Sequence, residues 1–461
     1  MFSSVLIVDG GLAMGKAAER VLREVRKRGF YAYYVTEKEA REYVMGQKML
    51  PFVGTVRGMI FVGGDGDEER FKDELLGENK VASFVSFYTF DRNKAEALLS
   101  TSEDGAKAYN STFHKEKSAA VEGIAGQEVL LELLAFVEEV ISEKTFSPEK
   151  YAAYLMQAIA NEAPDGQALV ALSGGVDSTV AAILVHRALP GRLKAVFVDH
   201  GLMRAGEGRA VVKTLREELG LDVMAVDAQD RFLQALKGVD DPEAKRKIIG
   251  EQFIRVFEEV AEGFYDVRYL VQGTILPDVV ESAQGKRGVA VKSHHNVGGL
   301  PDMFNFSLLE PLRQLYKDDV RALGEWLGLP SALTHRQPFP GPGLGVRVLG
   351  EVTREKLEML RRADAIVREE IERGSLASSL WQYFAVLLPA RSVGTGAKGR
   401  SYGHTIAVRA VHSETGTSAE VARLPWEVLL SISERITGEV PGVGRVVYDI
   451  TGKPPGTIEW E

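Results

Sequence analysis

The sequence predicts an α/β chain organised around a doubly wound parallel sheet, and three observations carry that reading. From about residue 147 short apolar runs alternate with amphipathic stretches, the pattern of strands joined by helical crossovers. Residues 169–178, Leu-Val-Ala-Leu-Ser-Gly-Gly-Val-Asp-Ser, set a loop of small residues between a buried strand and an apolar helix. The composition, 45% hydrophobic and 26% charged over 461 residues, is that of an ordinary globular protein, with room for about two to four domains.

Taken in order, the central pattern predicts a helix over 148–160, a strand over 169–172 and a helix over 178–188. A strand over 195–199 follows, then a helix over 205–219, a strand over 223–227, a helix over 243–262 and a strand over 269–272. Parallel sheets of this kind bind ligands beyond the carboxyl ends of their strands, where Ser173, Asp199 and Gly273 should converge. Residues 283–300 are rich in Gly, Lys and His without a clear period and read as a lid carrying Lys286, Arg287, Lys292, His294 and His295. A helix over 316–327 ends at Gly328. Residues 338–345, Pro-Phe-Pro-Gly-Pro-Gly-Leu-Gly, exclude regular structure and mark a boundary. Beyond it the pattern gives a helix over 353–373, strands near 383–388 and 403–411, a helix over 425–438 and a last strand over 445–450. The expected domains are 1–144, 145–336 and 337–461.

Composition excludes several classes of function. With no cysteine there is no disulfide, thiolate metal site or cysteine nucleophile, and the eight histidines are scattered without zinc spacing. A net charge of -9 argues against a nucleic-acid partner. No run of about eighteen apolar residues suits a membrane span, and the first thirty residues lack a signal peptide's apolar core, so a cytoplasmic location without membrane attachment is expected.

The loop at 173–178 carries the chemistry. Adjacent glycines let backbone N–H groups point inward, two serines add hydroxyl donors, and the loop empties onto a helix N-terminus where anions are favoured. The lysine of a Walker loop is missing, so γ-phosphate transfer is not indicated. Ser173-Gly-Gly-Val-Asp-Ser178 instead resembles the loop of the ATP pyrophosphatases, which grips departing pyrophosphate while a substrate oxygen attacks the α-phosphate. Further strings extend the resemblance in order: Phe197-Val-Asp-His-Gly201, Lys245-Arg-Lys-Ile-Ile-Gly250, Gly273-Thr-Ile-Leu-Pro-Asp278, Lys292-Ser-His-His-Asn296, Pro338-Phe-Pro-Gly-Pro-Gly343 and Lys453-Pro-Pro-Gly-Thr-Ile-Glu-Trp-Glu461. With these, the second and third segments resemble the GMP synthase family. The resemblance implies an ATP pyrophosphatase domain of the adenine nucleotide α-hydrolase-like type and a small α+β C-terminal domain that forms a homodimer. It implies that O2 of XMP attacks ATP, that pyrophosphate leaves, and that ammonia displaces AMP to give GMP.

By that resemblance ATP is held by Ser173, Gly174, Gly175, Val176, Asp177, Ser178, Asp199, Gly273 and Thr274, with Mg²⁺ on Asp177 and Asp199. From the residues alone, Asp177 also suits a helix N-cap and Asp199 a ribose. Asp177 and Lys292 are the catalytic candidates, Lys292 as a cation for charge building on the phosphates. His294 and His295 face opposite ways if extended, which disfavours joint chelation of one metal. The XMP candidates are Arg246, Pro340, Gly341, Lys453 and Glu459. Composition alone would make the Lys245-Arg246-Lys247 run a solvated helix face and the C-terminal tail a frayed end.

The first segment resembles pieces of the class I glutamine amidotransferase domain at Val5-Leu-Ile-Val-Asp9, Arg57-Gly-Met-Ile-Phe-Val-Gly-Gly64 and Phe113-His-Lys-Glu116. That domain needs a cysteine on a strand-to-helix elbow. Here the stretch reads Val81-Ala-Ser-Phe-Val-Ser-Phe-Tyr88, with Val85 in the nucleophile's place, although His114 and Glu116 match the rest of the triad. Without a thiolate no thioester forms, and Ser86 lacks the glycines that shape the elbow. The segment reads as a degenerate amidotransferase-like domain, and a separate glutaminase is a conceivable partner. A second departure is Thr395-Gly-Ala-Lys398, where the family carries an acidic residue in place of Lys398. Two other readings stay open: a paralogue adenylating a related purine nucleotide for another nucleophile, and a non-catalytic nucleotide-binding subunit.

Overall fold

A computed structural model describes residues 147–279 and 306–461, apart from 397, 398, 414, 415 and 417, with five strands and a few helical residues of the first 144. The five strands are β1 (Ser3–Asp9), β2 (Ala32–Thr36), β3 (Thr55–Gly63), β4 (Val85–Thr89) and β5 (Ala119–Ala120), all parallel in the order β2-β1-β3-β4-β5. Val85 opens β4, so the place expected of a nucleophile lies at the start of a strand.

The central sheet is built from β6 (Gln167–Leu172), β7 (Leu193–Asp199), β8 (Val223–Asp227), β9 (Val267–Val271) and β10 (Ser307–Leu309). All its pairings are parallel, in the order β10-β9-β6-β7-β8. The chain leaves β6 toward β7 and β8, then crosses back to β9, so the direction of winding reverses between β6 and β9. That switch point is where the strand ends splay apart and leave a crevice for a ligand. Around the sheet lie α1 (Pro148–Glu162), α2 (Val176–Ala188), α3 (Glu207–Lys213), α4 (Gln229–Ala235), α5 (Pro242–Ala261), α6 (Lys317–Trp326) and α7 (Ser331–Thr334). Ser147 caps α1 and Asp241 caps α5, each followed by a proline that needs no N–H there. Helix α2 is buried from Thr179 through Val185, on all sides, because it lies between the sheet and α1 and α6.

The C-terminal part contains α8 (Arg354–Arg373), β11 (Gln382–Gly396), β12 (Gly399–His412), β13 (Glu420–Val421), α9 (Trp426–Glu439) and β14 (Val443–Tyr448). Strands β11 and β12 pair antiparallel, and β14 joins β12 in parallel. Both long strands outrun the expected 383–388 and 403–411. Pairing shifts register between Leu388 and Arg391, which breaks the alternation a sequence reading follows. The last strand begins two residues earlier than expected, at Val443. Helix α4 and strand β10, seven and three residues long, were too short for the pattern to reveal.

One core cluster joins Val8, Tyr33, Val35 and Ala40 of the first segment to Tyr151, Leu155, Val180 and Leu323. A second runs from Leu169, Val196 and Phe232 of the central domain into Leu360, Val367, Ile406 and Ile436 of the C-terminal one. The boundary near residue 337 is therefore a break in regular structure within a continuous core. No helix among the described residues is long and apolar enough to cross a membrane.

Candidate active site

The loop after β6 and the loop after β9 meet at the switch point. Ser173 Oγ lies 3.1 Å from Ser178 Oγ and accepts the Gly175 N–H at 3.3 Å, which curls the loop over the start of α2. Gly175 is the N-cap of that helix, and its carbonyl accepts the Ser178 and Thr179 hydroxyls at 3.2 and 2.8 Å. The N–H groups of Val176, Asp177 and Ser178 open the helix without intrahelical partners, a cradle for an anion. Gly174 adopts φ +76°, open to glycine at little cost. A Cβ on Gly273 would lie 2.7 Å from Ser178 N and 2.8 Å from Asp177 C, so only glycine lets the two loops touch. Next to it Thr274 Oγ1 donates to Glu310 at 2.6 Å.

Asp177 is the second residue of α2 and does not cap it; the N-cap alternative is removed. Both of its carboxylate oxygens receive Lys317 Nζ, at 2.6 and 2.8 Å. Asp199 ends β7, one strand over, and accepts Gly201 N–H at 3.0 Å and the Gln229 amide at 3.1 Å. Its neighbour His200 accepts Leu202 N–H at Nδ1, and burial pushes the imidazole down to about 4, against the opposing pull of Asp199. Among the described residues no group of three or more histidines, aspartates or glutamates could hold a metal. A Mg²⁺ shared with nucleotide phosphates needs only one or two carboxylates. Asp177 and Asp199 each hold partners on both oxygens, yet every carboxylate oxygen keeps a second acceptor position, so either residue fits that demand.

A second cluster surrounds the proline-rich loop. Arg336 Nη1 donates to the Gly174 carbonyl at 2.8 Å, and its guanidinium pairs with Glu207 at 2.5 Å. The same group sits 5.3 Å over the Phe339 ring, which also receives Arg204 at 4.6 Å and Arg347 at 5.2 Å. These cations tie the phosphate loop to residues 338–343. Arg347 is fully buried and grips Glu459 at 2.7 and 2.9 Å, and Gln382 donates to both Glu459 and the Pro338 carbonyl. Pro340 accepts Gly343 N–H at 2.8 Å, and Gly341 is exposed.

The tail is ordered by these contacts, contrary to the frayed end composition suggests. Lys245 is fully buried, donating to Val348 O at 2.7 Å and pairing with Glu461, and Arg246 donates to the Glu461 carbonyl. The lysine-rich face of α5 is thus partly internal. Burial raises the Glu461 carboxyl even with Lys245 beside it. Lys453 stands apart, donating to Gly416 O at 2.8 Å. So the structure brings Ser173 through Ser178 together with Gly273, and brings Arg246 and Glu459 to the same tail. Lys292, His294, His295, Lys286, Arg287, His114, Glu116 and Lys398 lie outside the described residues. Sequence reasoning missed Lys317, Arg336, Arg347 and Glu310. None belongs to a local motif, and each acts across the fold.

Comparison with known proteins follows the same division. A family model described as NAD synthase matches residues 149–252, and one described as GMP synthase C terminal domain matches residues 369–460. A relative from Geobacillus kaustophilus, named a glutamine-hydrolyzing GMP synthase, is 51% identical over 365 residues, 79% of this chain and 70% of that one. A relative of the same name from Clostridium perfringens is 52% identical over 355 residues, 77% of this chain and 69% of its own. A solved NMN synthetase from Francisella tularensis covers 43% of this chain and 79% of its own at 18% identity and TM-score 0.33, too distant to add to the fold assignment.

Proposed function

The chain belongs to the GMP synthase family, and we propose that it is an AMP-forming carbon–nitrogen ligase converting XMP, ATP and ammonia into GMP, AMP and pyrophosphate. The observation that carries this is the meeting of the Ser173–Ser178 loop with Gly273 at the switch point. Backbone N–H groups of Val176, Asp177 and Ser178 donate to phosphate oxygens, with Ser173 and Ser178 hydroxyls beside them and Gly174 and Gly175 giving close approach. Thr274 and Asp199 flank the nucleotide. Asp177 would hold Mg²⁺, which offsets phosphate charge when bound. Lys292 is read as a further cation for the phosphates.

Arg246, Pro340, Gly341, Lys453 and Glu459 are read as the XMP site. Glu459 can contact a nucleotide hydroxyl while keeping Arg347, since Oε1 takes both Arg347 and Gln382 but Oε2 accepts Arg347 alone and has a second acceptor position. The first segment is read as a degenerate amidotransferase-like unit, because the chain has no cysteine to form a thioester. A C-terminal homodimer is supported by exposed Tyr402, Trp426 and Ile450, 67%, 68% and 75% accessible on that domain.

Incubation with XMP, ATP, Mg²⁺ and ammonium should yield GMP, AMP and pyrophosphate in equal amounts, whereas glutamine as the only nitrogen donor should yield no GMP. Release of glutamate at the rate of GMP formation would overturn the ammonia-dependent reading, and sedimentation of the same preparation as a monomer at micromolar concentration would overturn the dimer.

A further inference from the structure

The phosphate loop contains no lysine, yet the fold supplies one from elsewhere in the chain. Lys317 is the first residue of α6, and its ammonium reaches both oxygens of Asp177, 140 residues away, on the first turn of the helix that opens the anion cradle. The segment that delivers it is fixed to the other half of the site. Gln272 N–H donates to Leu309 O at 3.0 Å and Leu276 N–H to Leu315 O at 2.9 Å, so the chain before α6 runs alongside the loop bearing Gly273 and Thr274. The lysine side chain is 40% exposed, and Asp177 27%, which leaves the ammonium open to an incoming anion. An ion pair so exposed contributes little to stability, so a role in holding the fold is a weak account of it.

We propose that Lys317 is the phosphate-contacting cation of this site, taking the part that a Walker lysine plays from within its own loop. When ATP enters, its β- and γ-phosphates draw the ammonium from Asp177, whose carboxylate would then be open to hold a divalent cation. As the exocyclic O2 of the xanthine base, attacking in its deprotonated form, bonds to the α-phosphorus, the bond from that phosphorus to the α–β bridging oxygen breaks and its electron pair leaves on pyrophosphate. Lys317 keeps its proton throughout and stabilises the charge that gathers on the leaving group. This inference rests on reading the chain as an ATP pyrophosphatase.

The test uses the full chain with Lys317→Met and Lys317→Arg, read by XMP-dependent exchange of pyrophosphate into ATP and by calorimetric titration of inorganic pyrophosphate without divalent cation. In the Met variant exchange kcat should fall by about 10²–10³, the range for losing one donor to a developing oxyanion, while the XMP requirement stays unchanged. Pyrophosphate binding should weaken about tenfold in Met and recover in Arg. On the wild type, pyrophosphate should slow acylation of Lys317, mapped by peptide mass, and this reading survives even if the Met variant fails to fold. Unchanged exchange and binding in Met, or acylation indifferent to pyrophosphate, would overturn the proposal. A wild type that exchanges no pyrophosphate would instead sink the pyrophosphatase reading and leave the binding and acylation results to decide Lys317.

Discussion

His200 sits within the Phe197–Gly201 string as a neutral ring, its Nδ1 taken by the Leu202 amide and its centroid 5.7 Å from that of the tilted Phe232 ring. Burial holds its pKa near 4, below the ordinary 6.5, so the unfolded chain takes up a proton that the folded one refuses. The stability His200 confers is complete above about pH 6.5, declines as pH falls toward 4 and changes no further below that. Denaturant unfolding from pH 7 to 4.5 should show the wild type losing its advantage over His200→Asn, whose amide oxygen can replace Nδ1; parallel curves would contradict this. The phosphate loop was legible because its contacts are local, Ser173 to Ser178 and Gly175 to Thr179. Lys317, Arg336 and Arg347 were not, because their partners lie 140, 162 and 112 residues away and no spacing rule connects them.

Among the described residues, the stretch 310–319 joins the first segment to the loops after β6 and β9. Along it, Glu310 accepts from Thr274, Arg313 joins Glu310 to Glu39, and Gln314 exchanges hydrogen bonds with the Tyr34 backbone at 2.9 Å both ways. Then Lys317 meets Asp177 and Asp319 meets Arg26 at 3.4 Å. Gln314 acts as a surrogate strand on the edge of β2. Gln314→Ala removes two buried hydrogen bonds, a cost of about 1–3 kcal/mol. Hydrogen exchange should accelerate in residues 32–36 with β6 unaffected, and the ATP KM should rise a few-fold. Protection of β2 equal to wild type would show that the docking rests on the apolar core alone. Strands β6 to β9 and the longer helices around them were legible at this scale from periodicity, whereas the short α4 and β10 were not. The edge contact was not, because a glutamine standing in for a strand leaves no pattern.

Over the whole molecule, one continuous apolar core passes from the central sheet into the C-terminal domain, with Leu169 and Val196 in the same cluster as Ile406 and Ile436. Cutting the chain near residue 344 would therefore expose both sides of that core. The proline-rich loop was read as a domain boundary because proline and glycine interrupt secondary structure, and burial across it depends on pairs the sequence does not order. Arg336 and Phe339 sit at that junction, Arg336 bonded to the Gly174 carbonyl and Phe339 stacked under Arg347, which holds Glu459 of the tail. In the proposed reaction the purine O2 attacks the α-phosphate of ATP on the Ser173–Ser178 loop and departs with AMP. XMP labelled with ¹⁸O at the C2 carbonyl tests it most directly, by mass analysis of the AMP formed with unlabelled ATP, ammonium and Mg²⁺. One ¹⁸O should appear in the phosphate of each AMP and none in GMP at C2; unlabelled AMP formed together with GMP would contradict this route.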